Sequence, residues 1–287
     1  MRLADGRLLG FAEYGATDGP AVVFCHGEVG SRLQGRSLHA AGRDRGVRIV
    51  SPDRPGLGFS DFRPGRTVAE WPTDVAELTD QLGIDRFAVV SAAAGAGYAL
   101  ACAWKLPERV TATIVAGPVL AVPMVAPVPG TPLPQRLLTE SAVKAPWTIR
   151  IAMTGLELLS RRSPDQAVRR MAGSAGEADR ELFDRPEVRA MLAASLAETF
   201  RSGARGVAYD LHLTTAGWGL PFGSITAPVS VWRGEGDTEV ALAGVRGLVA
   251  ALPHGELHEV AGRGHHLVLA EPEALLDGLL GGLVGGS

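Results

Sequence analysis

Asp237 and His265 close two short glycine-bounded segments, Gly234-Glu235-Gly236-Asp237 and Gly262-Arg263-Gly264-His265. A histidine near its ordinary pKa can take a proton from a nucleophile and return it to a leaving group. A carboxylate on its other ring nitrogen fixes the tautomer and stabilises the imidazolium. Such a pair needs a nucleophile, and the chain has one stretch shaped to present one. Phe87 to Trp104 reads FAVVSAAAGAGYALACAW: a β-branched and aromatic run, then small residues, then helix formers. That is the form of a strand-to-helix elbow with the pattern G-x-S-x-G, where small residues let strand and helix approach and the nucleophile's backbone is strained. Aligned on it, Ser91 takes the first glycine position, Gly95 the last, and Ala93 the nucleophile's. An alanine methyl attacks nothing. Ser91 precedes the apex and is still on the strand, so it reads as a small residue replacing glycine, not as a substitute nucleophile.

The elements that must position these residues alternate. Strands are expected at Arg7–Tyr14, Ala21–Cys25, Gly46–Val50, Phe87–Val90, Val110–Ala116, Pro228–Trp232 and Glu256–Val260. Between them, Thr67 with Glu70 has the spacing of a capping box for a helix running to Leu82. Further helices are expected from Tyr98, over Ala241–Leu252 and from Pro272. Strands and helices in this rhythm imply a mostly parallel, doubly wound sheet covered on both faces. The rhythm breaks after Gly117: Ala121 to Pro134 carries Pro123, Pro127, Pro129, Pro132 and Pro134. From Gln135 to about Gly217 the pattern is largely helical, in pieces at Gln135–Val143, Trp147–Arg161, Pro164–Ala172, Glu177–Phe183 and Pro186–Phe200. The expected organisation is therefore one α/β core, residues 1–120 and 222–287, interrupted by a helical cap at 121–221. In an open parallel sheet ligands sit beyond the carboxyl ends of the strands, and Glu28, Ala93, Asp237 and His265 all fall there.

Four short motifs, each at an expected strand end and in this order, resemble the α/β-hydrolase family, over nearly all of the chain outside the cap. His26-Gly27-Glu28-Val29-Gly30-Ser31 is similar to that family's H-G-x-P-G-S oxyanion loop, with Val29 in place of the proline. Asp53-Arg54-Pro55-Gly56-Leu57-Gly58-Phe59-Ser60 is similar to its D-R-x-G-x-G-x-S loop. The two segments ending in Asp237 and His265 resemble the G-x-x-D and G-x-G-H that supply its acid and its histidine. The resemblance implies a triad of position 93, Asp237 and His265, with the backbone N–H groups of Glu28 and Ala94 as oxyanion donors, and neither cofactor nor metal. Backbone donors survive a side-chain change, so alanine at 93 leaves the hole in place. A carboxylate beside an oxyanion is unfavourable, so the Glu28 side chain is expected to turn away.

Composition excludes several partners. A net charge of −3 and a pI near 6.2 give no basic field for nucleic acid or an anionic membrane. The N-terminal MRLADGRLLGFAEYG lacks an apolar h-region, and no uninterrupted apolar stretch approaches spanning length. Cys25 and Cys102 both sit in apolar runs and read as buried thiols in a reducing compartment. The expectation is a soluble, cytoplasmic protein; its oligomeric state is not readable.

The remaining histidines and acids read as structural. His26 belongs to the hydrogen bonding of its own loop, Asp53 and Asp61 hold loops, and His266 should point away from the site. His39, His212, His254 and His258 lack motif context. Glu235 competes with Asp237 only by proximity. From the cap, Trp147, Met153 and Trp218 are the expected substrate-binding residues within an apolar set that also includes Met171, Phe183, Met191 and Phe200. The reading is a hydrolase of an ester, thioester or lactone of a hydrophobic small molecule, with its nucleophile replaced by alanine. Alanine at 93 has two explanations: replacement of a parent serine, or a natural chain. The latter would be either a pseudohydrolase that binds ligand or an enzyme using the His–Asp pair for a cyclisation, elimination or C–C bond step.

Overall fold

In the computed structural model, residues 1–121, 124 and 146–284 are described. The sheet has seven strands in the order β1-β3-β2-β4-β5-β6-β7. They are β1 Phe11–Gly15, β2 Ala21–Cys25, β3 Arg48–Pro52, β4 Phe87–Ala92, β5 Val110–Ala116, β6 Val229–Gly234 and β7 Gly255–Val260. Only β1 runs antiparallel, against β3; the other pairings are parallel. Every residue of β2 is buried, as the strands of a sheet covered on both sides require. Alternate residues still go to opposite faces. Val23, Cys25 and Val89 pack with α2 (Trp71–Gln81), α3 (Ala96–Lys105) and α9 (Leu242–Ala251), whereas Val22, Phe24 and Val90 pack with α1 (His39–Asp44) and α11 (Pro272–Val284). Each such fully buried side chain contributes about 1.5–3 kcal/mol over its exposed state. The Thr67 capping box forms: its N–H donates to Glu70 Oε2 at 2.8 Å.

Between β5 and β6 the described chain is helical: α4 Pro146–Arg162, α5 Pro164–Ser174, α6 Glu177–Asp184, α7 Pro186–Thr199 and α8 Ala204–Ala216. Ile149, Met153, Phe183, Leu196, Phe200 and Val207 give this insertion its own core, with Leu57 of the α/β unit added to it. The expected Gln135–Val143 helix and most of the proline-rich stretch lie outside the described residues. Helix α8 lies within the stretch expected to be largely helical, and it docks closely on the core. A Cβ on Gly206 would lie 1.9 Å from the Gly56 carbonyl oxygen, so helix and Asp53–Ser60 loop meet backbone to backbone.

Register places the site. Cys25 pairs with Ser91, so the loop leaving β2 and the elbow leaving β4 emerge side by side. Gly234 pairs with Val260, which brings the Asp237 and His265 loops together. A short helix, α10 Leu267–Ala270, begins two residues after His265. Among the described residues no helix is long and apolar enough to cross a membrane.

Candidate active site

The elbow forms at Ala93. Its φ is 46°, and with Val29 it is one of two non-glycine residues with positive φ among the described residues. Left-handed backbone is disfavoured for a residue with a Cβ, so the surrounding packing must hold it there. Gly95 shows how tight that packing is: a Cβ there would lie 2.2 Å from the Cys25 carbonyl oxygen.

His265 is 2% exposed and Asp237 5%. His265 Nδ1 meets Asp237 Oδ2 at 3.0 Å. The other Asp237 oxygen accepts the Glu239 and Val240 N–H groups at 2.8 and 3.1 Å. Burial opposes charge on Asp237, but the His265 bond and charge and these two N–H groups outweigh it and hold the carboxyl below its usual range. Burial likewise opposes the imidazolium, yet the Asp237 bond, with Glu239 and Glu28 nearby, pushes His265 up to about 9. Its Nε2, the atom that would face a nucleophile, has no hydrogen-bond partner among the described residues.

Glu28 does not turn away. Its Oε2 accepts the Ala94 N–H at 3.1 Å, the donor that the resemblance assigns to the oxyanion. The next residue departs from the family's pattern too: Val29 has φ 44°, a value closed to proline and strained for a β-branched residue. The loop is held from below. Gln34 Oε1 accepts the Gly27 N–H at 2.9 Å, and Arg54 donates to the His26 and Gly27 carbonyls. His26 itself is fully buried and spans its loop, its Nδ1 3.0 Å from the Gly27 oxygen; burial first, and then Arg54, push its pKa well below the ordinary value.

A cavity of about 230 Å³ lies over Ala93. Glu28, Glu239, His265 and His266 line it on the polar side, and Phe24, Phe183, Met191, Leu192, Val268 and Leu269 are among its apolar walls. His266 therefore faces the cavity and not away from it, its ring edge-on to Phe183 at 5.0 Å. Trp147, Met153 and Trp218 do not line it. Trp147 is 66% exposed, Met153 is buried in the insertion's own core, and Trp218 is packed on α3 against Gly97, its Nε1 donating to the Thr214 oxygen. Apolar character marked them out, but it does not say which side of a helix meets the cavity. Ser91 is fully buried in β4 and away from the cavity, and Glu235 is exposed.

Three residues of consequence gave no motif signal. Glu239 stands with Oε2 3.8 Å from His265 Nε2. Asp179 of α6 accepts the backbone N–H groups of His265 and His266 at 2.7 and 3.2 Å. Asp210 of α8 is buried between Arg54 and Arg66 and accepts the Tyr98 hydroxyl at 2.7 Å. Among the described residues no cluster of histidine, cysteine and acid is arranged to hold a metal. The arrangement can hold and move a proton at His265 Nε2. It has no side chain at 93 able to attack.

A mostly parallel sheet with an elbow after β4, and with an acid and a histidine after β6 and β7, defines an α/β protein of hydrolase architecture. The chain belongs to the alpha/beta hydrolase family, whose model matches residues 22–277. Haloalkane dehalogenase 2 of Mycobacterium tuberculosis is 32% identical over 100 residues, which are 34% of this chain and 34% of that protein. The match thus spans about a third of that relative's length. Among solved structures, a thermophilic esterase from Thermogutta terrifontis superposes with a TM-score of 0.69 at 20% identity, covering 99% of this chain and 96% of that one. The enol-lactonase from Burkholderia xenovorans LB400 gives 0.68 at 18%, covering 97% of each. At those identities the likeness is one of fold.

Proposed function

We propose that this chain carries the site of an ester, thioester or lactone hydrolase for an apolar small molecule, and that with alanine at position 93 it holds such a molecule without forming an acyl-enzyme. The observation that supports this most is Ala93 itself. It keeps the strained φ of 46° at the head of β4, beneath a cavity into which an intact His265–Asp237 pair also opens. These are the parts of acyl transfer without the attacking hydroxyl. The free thiols Cys25 and Cys102, both buried, suit a reducing, cytoplasmic setting.

A second reading rests on Glu28. A carboxylate held by the Ala94 N–H competes with any oxyanion for that donor. This favours a natural chain that has left acyl transfer, in which His265 moves a proton in a cyclisation, elimination or C–C bond step. Binding and turnover of a graded ester series separate the two, measured on the chain and on A93S and A93S/E28A. Hydrolysis gained with serine supports the first reading. A folded pair of variants, inert toward every ester, thioester and lactone tried, supports the second.

A further inference from the structure

The cavity carries more negative charge than acyl transfer requires. Two carboxylates, those of Glu28 and Glu239, line it beside His265. Among the described residues the Glu28 carboxylate is held by the Ala94 N–H, which donates to Oε2. Glu239 stands between two rings, Oε2 3.8 Å from His265 Nε2 and Oε1 3.8 Å from His266 Nε2, in ion-pair range but beyond a hydrogen bond. His265 Nε2 is buried and has no hydrogen-bond partner among the described residues. The groups are close enough to feel one another: Glu28 acts on both Glu239 and His265, and Glu239 on His265. Between them Ala93 offers only a methyl.

The rest of the lining does not balance this charge. No lysine or arginine is among the described residues around the cavity. With Asp237 behind His265, three carboxylates face a single imidazolium. His266 adds no positive charge, since burial and the neighbouring His265 hold it toward its neutral form. Asp179, close by, already accepts two backbone N–H groups. An anionic ligand would meet net repulsion here, whereas a cation would not.

Resting on the reading of this cavity as a small-molecule site, we propose that it binds an ammonium group carried on an apolar body, with the N–H donors shared between the Glu28 and Glu239 carboxylates. An ammonium is the complementary head group, because it has up to three donors and no acceptor. Its bonds to carboxylates are charge-assisted, and the absence of a hydroxyl at 93 leaves it room. The apolar body packs against Phe183, Met191, Leu192 and Val268. The ester-site reading alone does not require this preference, since an ester is neutral.

The test is calorimetric titration at pH 7 with benzylamine, benzyl alcohol, benzoate and benzyl acetate, one ring size with four head groups. Benzylamine is expected to bind at least tenfold more tightly than benzyl alcohol or benzoate. E28Q and E239Q should each reduce that preference and together abolish it, with the far-ultraviolet circular dichroism and unfolding midpoint of each variant as the folding control. Benzoate binding as tight as benzylamine, no benzylamine binding at millimolar concentration, or an amine preference that survives both substitutions would overturn the proposal. Benzyl acetate binding without an amine preference overturns the ammonium site and leaves the ester-site reading standing. Benzylamine binding without benzyl acetate binding does the reverse.

Discussion

The backbone N–H of His265 donates to Asp179 Oδ2 at 2.7 Å, so a carboxylate of the helical insertion holds the loop that carries the site's acid–base group. The same carboxylate takes the His266 N–H, and a Cβ on Gly264 would lie 2.2 Å from its Oδ2. Insertion and core are also joined from Ser31 to Ser195 and from Arg54 and Arg66 to Asp210. Polar contacts thus reach from the insertion to the core loops that surround the cavity. D179A should orphan the buried His265 N–H, at about 1–3 kcal/mol, and the partly buried His266 N–H at less. Denaturant unfolding measures it, and a loss under half a kcal/mol would show that water or a neighbour replaces Asp179.

Position 93 gives an ordered series. Losing the nucleophile of a comparable triad lowers kcat about 10⁶-fold, so A93S should raise esterase turnover well above the parent chain. Glu28 still occupies the Ala94 donor in that variant. A93S/E28A should therefore exceed A93S by on the order of 10²-fold in kcat, the effect of regaining one oxyanion donor. Rates on p-nitrophenyl esters of graded chain length check the order. A double variant no faster than A93S means that Glu28 does not compete with the oxyanion.

Much of this was legible in the chain. Strands buried on both faces leave unbroken runs such as Ala21–Cys25 and Phe87–Val90, and the glycines of the loops stand where backbones nearly touch, as Gly95 does against Cys25. What stayed hidden was direction. Glu28 reaches inward to the Ala94 N–H, and Val29 beside it adopts a positive φ, which its residue type argues against. Asp179 reaches His265 across 86 positions, and no periodicity marks such a pairing. Trp147 and Phe183 are equally apolar by type, yet one is exposed and the other walls the cavity.

The two adjacent histidines should titrate in opposite directions from their ordinary value. His265 is raised to about 9, although burial opposes it, by Asp237, Glu239 and Glu28. His266 is lowered by burial and by His265. A raised folded pKa stabilises the fold fully below the unfolded value near 6.5 and loses that contribution as pH climbs through about 9. Asp237 is depressed, so its contribution is present above its unfolded pKa and fades as pH falls. The stability gap between the chain and H265Q should therefore be wider at pH 6 than at pH 10. Nitrogen-15 NMR of the two rings checks the assignment, and a His265 midpoint at or below 6.5 contradicts it.

Asp210 should prove the costliest single carboxylate to neutralise. Burial disfavours its charge, but Arg54 and Arg66 outweigh that and hold it well below the usual range. It accepts from Arg54 Nη2 at 2.8 Å, Arg66 Nη2 at 2.7 Å and the Tyr98 hydroxyl at 2.7 Å. Arg54 in turn donates to the His26 and Gly27 carbonyls, so the chain of contacts runs from α8 to the loop that aims Glu28. D210N keeps the shape and removes the one anion between two buried guanidinium groups. Breaking a buried ion pair from one side destabilises by about 3–5 kcal/mol, and denaturant unfolding of D210N should show a loss of that size. In any D210N fraction that stays folded, ligand binding in the cavity should weaken too, because the Glu28 loop loses its support. A variant that loses stability yet binds the cavity's ligands as the parent does would confine Asp210 to holding the fold.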